Sequence, residues 1–359
     1  MLYNFRNRII ILISIALCFT SCKIFQTQPI EIEELVIYPP PPDKVRIQYL
    51  TSINNSEDIM GRRSPFMDFI LGKEIPMGVV SPLEITSTES ELIICDNILG
   101  GLELINLENK TFEYFIPDGR GRLAQPVSCT VDSSGNLFVV DKKRKQIVVF
   151  NNTEEGYKYK TAFGDTANYA PYDILAFKDK LWVPNTKTRK IHVYDGTNFN
   201  FLFSFPKGDR QDHGYIVLPK YIEGFGDNIY VTDFVGNTIK VFDVDGNFIR
   251  SVGSIGTFPG QFARAKDIAI DKDENLFAID AAFGNVQIFN KKGQLLMFFG
   301  GQNANSGDMY LPRAIHISYE HNNYFEEYLD PAYKLKYIIY VSNQQGGNKV
   351  NVYGAVEVK

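Results

Sequence analysis

Residues 253–300 read GSIGTFPGQFARAKDIAIDKDENLFAIDAAFGNVQIFNKKGQLLMFFG. Four apolar runs, KDIAI, LFAID, VQIF and LLMFFG, are separated by the short polar segments DKDEN, AAFGN and NKKGQ. Runs of this length, with period-two alternation and Gly, Asn or Asp between them, read as strands of an antiparallel meander. Asp280 closes the second run, where an Asx side chain can hydrogen-bond backbone amides two residues on.

The same unit recurs outward in both directions. Its central hairpin reads LIICDNILGGLELINL, LFVVDKKRKQIVVFN, LWVPNTKTRKIHVYD, IYVTDFVGNTIKVFD, LFAIDAAFGNVQIFN and IYVSNQQGGNKVNVYG. The Asx anchors are Asp96, Asp141, Asn185, Asp233, Asp280 and Asn343, spaced by 45, 44, 48, 47 and 63 residues. A period in the forties with several short strands per unit is the signature of propeller blades. Six copies, one per blade, argue that these Asx residues serve turns and not catalysis. An aromatic-rich run follows each of the first five hairpins (FEYFI, YKTAF, FLFSF, FIRSVG, LLMFFG), and a Pro-headed apolar run precedes each hairpin, with Ala265 in place of Pro in the fifth. The sixth unit lacks an outer run before Lys359, while Val45–Ile53 (VRIQYLTSI) supplies a spare strand at the other end. The expectation is an all-β, six-bladed β-propeller over residues 45–359, its ring closed by this N-terminal strand, which removes exposed edges.

The fifth unit, with its Gly-rich loop, Phe, apolar strand, Asp-rich turn and aliphatic strand ending in Asp, resembles the NHL repeat. The whole chain is similar to NHL-type six-bladed lipoproteins of Gram-negative bacteria, in which a proline-rich tether and an R-I-x-Y-L strand precede the propeller. The resemblance is specific for fold and not for activity.

Two irregularities interrupt the repeat. Residues 54–78 contain SPFMDFILGK, which predicts a short helix, and residues 319–336 (YEHNNYFEEYLDPAYKLK) insert between the first two strands of the last blade. That position places the insertion on the face opposite the channel mouth used by most propeller ligands.

The first 22 residues carry an address. Arg6 and Arg8 precede IIILISIALCF, a run too short for a comfortable span, and Thr20-Ser21 lead into Cys22. This is similar to a bacterial lipobox, with Phe19 where Leu is usual, and implies a signal peptide over 1–21 and an acylated Cys22. Residues 22–44, with Pro39 to Pro42, read as a semi-rigid tether. Lys23, in place of the Asp that retains lipoproteins at the inner membrane, points to the outer membrane, facing the periplasm or the exterior. The mature chain keeps Cys95 and Cys129 in apolar runs, as small buried hydrophobes.

Composition is globular: 44% hydrophobic, 22% charged and 13% aromatic, and the net charge of −5 argues against a nucleic-acid partner. Two residues after the head of each innermost strand come Glu84, Ser128, Asp173, Tyr221, Asp267 and Ala314. Glu84, Asp173 and Asp267 therefore fall on alternate blades and point to one axis, a candidate site for Ca²⁺ or another divalent cation. Lys220, Lys266 and Arg313, one position earlier, offer instead to neutralise them. His192, His213, His316 and His321 are scattered and form no triad or zinc pattern. Two basic hairpin turns, Lys142, Lys143, Arg144 and Lys145, then Lys187, Arg189 and Lys190, suggest a surface for an acidic protein, glycan or lipid.

Three readings follow. The chain is a tethered, monomeric, non-catalytic binding or scaffold module for an envelope protein or glycan, needing no cofactor. Alternatively, it is a divalent-metal-dependent propeller hydrolase or lyase, similar to the lactonases, with its site in the channel. Thirdly, it is a subunit of an envelope assembly docked through 319–336.

Overall fold

Each repeat folds because its two middle strands are apolar on both sides, as strands must be when sheets pack face to face around a ring. Leu137–Asp141 and Asn228–Asp233 are buried along almost their whole length. The computed structural model describes residues 35–164, 167–302 and 306–359, and Val36–Lys359 is one compact unit. Cys22, the signal segment and the first part of the tether lie outside the described residues. No helix among the described residues is long and apolar enough to cross a membrane.

The unit holds six antiparallel sheets, five of four strands and one of five. Strands within a blade are called a to d from the axis outward. The a strands are Pro82–Ser87, Pro126–Val131, Leu175–Phe177, Pro219–Phe225, Ala265–Ile270 and Pro312–Ser318 for blades one to six. Consecutive a strands are neighbours, and Pro312–Ser318 packs against Pro82–Ser87 to complete the circle.

The last blade is closed as its missing outer strand implies. Ile47–Ile53 pairs antiparallel with Val350–Val358 and becomes its d strand. Ile37–Tyr38, read above as tether, adds a short fifth strand by pairing with Gln48 and Ile47.

The aromatic d strands have a packing purpose. Phe115 of blade one meets Phe150 of blade two at 5.1 Å, Phe163 meets Tyr194 at 5.2 Å, Phe205 meets Phe242 at 5.0 Å, and Phe299 meets Tyr353 at 5.1 Å. In each pair the outer strand of one blade seals against the c strand of the next, and such ring pairs add about 0.5–1.5 kcal/mol beyond burial.

The six Asx anchors do more than shape turns. Asp141 accepts from Arg144 N in its own b–c turn, and from Ala124 N and Gln125 N in the connection that enters the a strand. Asp233 does the same with Gly236, Val217 and Leu218, and Asp280 with Ala282, Ala263 and Arg264. One buried carboxylate thus pins the b–c turn to the d–a connection on a single face of the ring, called here the mouth face.

The excursion 54–78 leaves that face. Its helix α1 (Glu57–Met60) is followed by α2 (Pro65–Leu71), started by Ser64 Oγ accepting from Met67 N and by Pro65 in the first turn. The insertion at 319–336 sits on the opposite face, beside the a–b turns. It forms α3 (Asn322–Phe325) and a 3₁₀ turn, Glu326–Tyr328, and buries Phe325. Cys95 and Cys129 are free, buried thiols in one apolar cluster between blades one and two.

Candidate functional site at the ring axis

The site is built by one backbone irregularity repeated six times. After the head residue of every a strand, the register with strand b slips by one extra residue. Pro82 faces Asp96 but Glu84 already faces Cys95, and Pro219 faces Asp233 but Ile222 faces Val231. Blades two, five and six slip likewise. In blade three Pro171 makes an isolated bridge to Asn185 before Leu175 resumes pairing with Trp182. A bulge leaves its extra residue out of the ladder and re-aims the side chains around it. The residue one place after the head sits in this bulge in every blade, and the bulge turns it and its successor toward the axis and the mouth.

The deeper tier holds the carboxylates. Glu84, Asp173 and Asp267 each present an oxygen within 4.8 Å of the others, and all three are buried. Asp173 is the most engaged: Oδ1 accepts from Ser128 Oγ at 2.5 Å and Ile174 N at 2.8 Å, and Oδ2 from Ile222 N at 2.9 Å. Asp267 Oδ2 accepts from Ile315 N at 2.9 Å, and Glu84 Oε1 from Ile85 N at 3.1 Å. Asp173 and Asp267 therefore each stitch their blade to the next.

Burial dominates their titration. It pushes Glu84 well above the ordinary carboxylate range, with Asp267 and Asp173 adding like-charge repulsion. Asp267 is raised for the same reasons, while the donors around Asp173 hold it at about 6. Without a cation, burial and mutual repulsion favour the protonated forms of Glu84 and Asp267. The span of the three oxygens suits a hard divalent ion, whose ligands lie at about 2.3–2.6 Å for Ca²⁺. Asp173, with both oxygens occupied, has the least left to offer.

The outer tier was only half legible in the sequence. Its residues are Tyr172, Lys220, Lys266 and Arg313 in blades three to six, with Leu83 and Val127 at the matching places of blades one and two. Arg313 opposes the rise of Glu84 and Asp173 through its charge, but none of Lys220, Lys266 and Arg313 makes a close ion pair with the carboxylates. Among the described residues, none of the ion pairs within 4.0 Å involves any of the three. Arg313 donates from Nε to Leu83 O at 3.1 Å and from Nη1 to the Tyr172 hydroxyl at 3.2 Å. Lys266 Nζ donates to Pro312 O at 3.0 Å and Gln344 Oε1 at 3.1 Å. Lys220 Nζ lies 3.3 Å from the Phe234 ring centroid and 4.8 Å from that of Tyr172. Burial, then Arg313, Arg264 and Lys220, push Lys266 down to about 7. Burial resists ionisation of Tyr172, but Arg313 and Lys220 prevail and hold its hydroxyl below its usual range. Tyr172 was missed because its relation to the three cations shows only when the repeats are aligned one place earlier.

The two basic turns separate. Lys142 reaches the mouth, its Nζ 6.0 Å from the Tyr172 ring centroid. Arg144 turns away to donate to the carbonyls of Arg120 and Arg122 at 3.0 and 2.8 Å, and to Gln146 Oε1. Lys187 Nζ donates to Ala167 O, and Arg189 Nη1 to the Tyr215 hydroxyl. Lys143 and Lys145 are exposed and Lys190 is half-buried. Of the seven basic residues, one belongs to the axis.

Three histidines are built into the scaffold. His321 Nε2 lies 2.9 Å from the Thr88 carbonyl, which only accepts, so Nε2 carries the proton and Nδ1 accepts from the Tyr340 hydroxyl at 2.7 Å. His316 contacts Ser87 Oγ at 2.8 Å, and burial drives it down to about 4. His192 lies against Asn185 and Thr188 in its own hairpin. His213 is exposed in the loop before blade four, in an open cavity of about 600 Å³ that Glu84, Asp173 and Asp267 do not line.

A family model described as a 6-bladed beta-propeller matches residues 209–354. No curated protein matches the chain. Among solved structures, virginiamycin B lyase from Staphylococcus aureus is similar at 14% identity, over 77% of this chain and 95% of that one, with a TM-score of 0.51. A catalytically inactive variant of that lyase with quinupristin gives 16% identity over 76% and 94%, also at 0.51. A structural genomics protein of unknown function from Bacteroides thetaiotaomicron aligns over 87% of this chain and 76% of its own, at 12% identity and a TM-score of 0.57. At such identities the likeness is one of fold. The chain is an all-β six-bladed propeller.

Proposed function

We propose that the chain is an exported, lipid-anchored, non-catalytic binding module of a bacterial cell envelope, taking a protein or glycan partner at the mouth face of the ring. The observation that carries this reading is the outer tier. Lys142, Tyr172, Lys220, Lys266 and Arg313 come from five blades, converge on one opening, and leave donors unspent. The groups that would do general acid–base work, His192, His316 and His321, are engaged in holding strands and turns. Anchoring through Cys22 rests on the sequence, and a labelled acyl chain incorporated by the wild type and not by Cys22→Ala tests it.

The mouth is tested by a photo-activated cross-linker placed at Lys142 or at Glu327 in intact envelopes. Adducts from position 142 alone support the reading. Adducts from 327 alone overturn it in favour of an assembly subunit docked through the insertion.

A second reading is carried by Glu84, Asp173 and Asp267: a divalent-metal-dependent hydrolase or lyase. A tight ion raises the unfolding midpoint by mass action. Chelator-treated chain, titrated with Ca²⁺, Mn²⁺, Zn²⁺ and Mg²⁺ beside the Glu84→Gln/Asp173→Asn/Asp267→Asn variant, discriminates. A shift lost in the variant supports a metal at the axis, and no shift with any ion ends this reading.

A further inference from the structure

We propose that Lys220, Lys266 and Arg313, with the Tyr172 hydroxyl, form a binding site for a dianionic oxyanion group of the phosphate or sulfate kind. The inference rests on the mouth-face reading above and names the chemistry that face recognises.

Three observations meet here. First, the three cations occupy the same bulge position in three consecutive blades, so they form an arc around one point and not a scattered surface. Second, Lys266 and Arg313 are 6% and 9% exposed and, among the described residues, have no ion pair within 4.0 Å, and burying a cation without such a contact is costly. Third, their hydrogen-bonding capacity is only partly used. Lys266 spends two of three N–H groups, and Arg313 keeps Nη2 uncommitted beside the occupied Nε and Nη1. The opening thus gathers three basic side chains beside aromatic walls, Tyr172 and Phe234, which confine the Lys220 ammonium.

Charge and geometry together favour a doubly charged group over a carboxylate. Three cations on an arc can each address a different oxygen of a tetrahedral oxyanion, and the planar guanidinium suits phosphate or sulfate oxygens. Tyr172, its hydroxyl already accepting from Arg313, can donate its own proton to a further oxygen.

The test is calorimetric titration of the intact chain in detergent with inorganic phosphate, sulfate and acetate at fixed ionic strength. Phosphate and sulfate are expected to bind at one site, with acetate at least about tenfold weaker. Losing a charge-assisted hydrogen bond costs about 10- to 100-fold in affinity, so Lys220→Gln should weaken phosphate by that factor and Lys220→Gln/Lys266→Met should abolish binding. Arg313 also holds the Leu83 carbonyl and its loss could unfold the ring, so the half-buried Lys220 is the primary variant and circular dichroism of each variant accompanies the titration. No binding of either dianion, binding indifferent to both variants (an adventitious ion only), or acetate as tight as phosphate overturns the proposal. If phosphate fails while the cross-linker at 142 still captures a partner, the oxyanion assignment falls and the mouth-face reading stands. If both fail, the reading beneath it falls too.

Discussion

The two ends of the ring are made of the same strands, yet they treat polar groups in opposite ways. On the insertion face, side-chain hydrogen bonds tie the insertion and the a–b turns together, although Ser318 Oγ and Asn322 Oδ1 stay buried without a partner. His321 bridges Tyr340 and Thr88, Gln48 holds Tyr328 O and Asp330 N, Tyr337 donates to Asp271, and the Tyr319 hydroxyl accepts from Lys272 N. On the mouth face, the Asx pins hold the outermost frame, but the axis within it gathers buried ionisable groups that make no ion pair within 4.0 Å among the described residues. The lesson is that a repeat fold gathers its buried ionisable groups where the repeat itself puts a bulge, and closes the other end with whatever sequence interrupts the repeat.

The sharpest way to break the comparison is to attack the frame. Asp141→Ala leaves the amides of Ala124, Gln125 and Arg144 without their acceptor, so a loss of about 3 kcal/mol or more is expected in denaturant unfolding. A loss below about 1 kcal/mol would show that solvent replaces the pin and that the frame is not what holds the mouth open. Next in size is the insertion face. Phe325→Ala should cost about 3 kcal/mol, because the ring is 4% exposed and packs on Tyr340.

Lys266→Met should go the other way and sharpen the contrast. The Lys266 folded-state value, about 7, lies below the unfolded value of 10.5. Between these the unfolded chain binds more protons, so this residue makes wild-type stability rise with pH from about 7 to 10.5, and its full penalty is present below 7. The Met variant should be more stable than wild type at pH 6, with the gap closing as pH climbs through that window. A gap that is constant with pH would mean Lys266 is already matched. The smallest effect belongs to Lys143→Ala, an exposed turn residue, expected within about 0.5 kcal/mol of wild type and without effect on phosphate binding.

Much of this architecture was readable from residue order, because periodicity in a propeller is periodicity in space. Aligning six hairpins on their Asx residues also aligns the heads of the a strands, and so brings Glu84, Asp173 and Asp267 onto one axis from residue order alone. What could not be read is how each side chain is spent. Arg144 and Lys142 are two residues apart in one basic run, yet one caps two carbonyls and the other overhangs the mouth. The pairing of Lys220, Lys266 and Arg313 with the carboxylates was a matter of charge count, and the bulge places the two kinds of group in separate tiers. Ile37–Tyr38 escaped notice because a two-residue strand carries no period.

The closing blade has a mechanical consequence. Ile47–Ile53 is held between Ile37–Tyr38 on its outer edge and Val350–Val358 on its inner edge, both antiparallel. Any pull on the chain ahead of Val36 reaches Ile37–Tyr38 first and must peel it away. Only then does the load pass to Ile47–Ile53, where the whole register from Ile47 against Ala355 to Ile53 against Val350 resists it. The short edge strand thus works as a strain relief, like the grip on a cable where it enters a housing, giving way locally before the ring is asked to open.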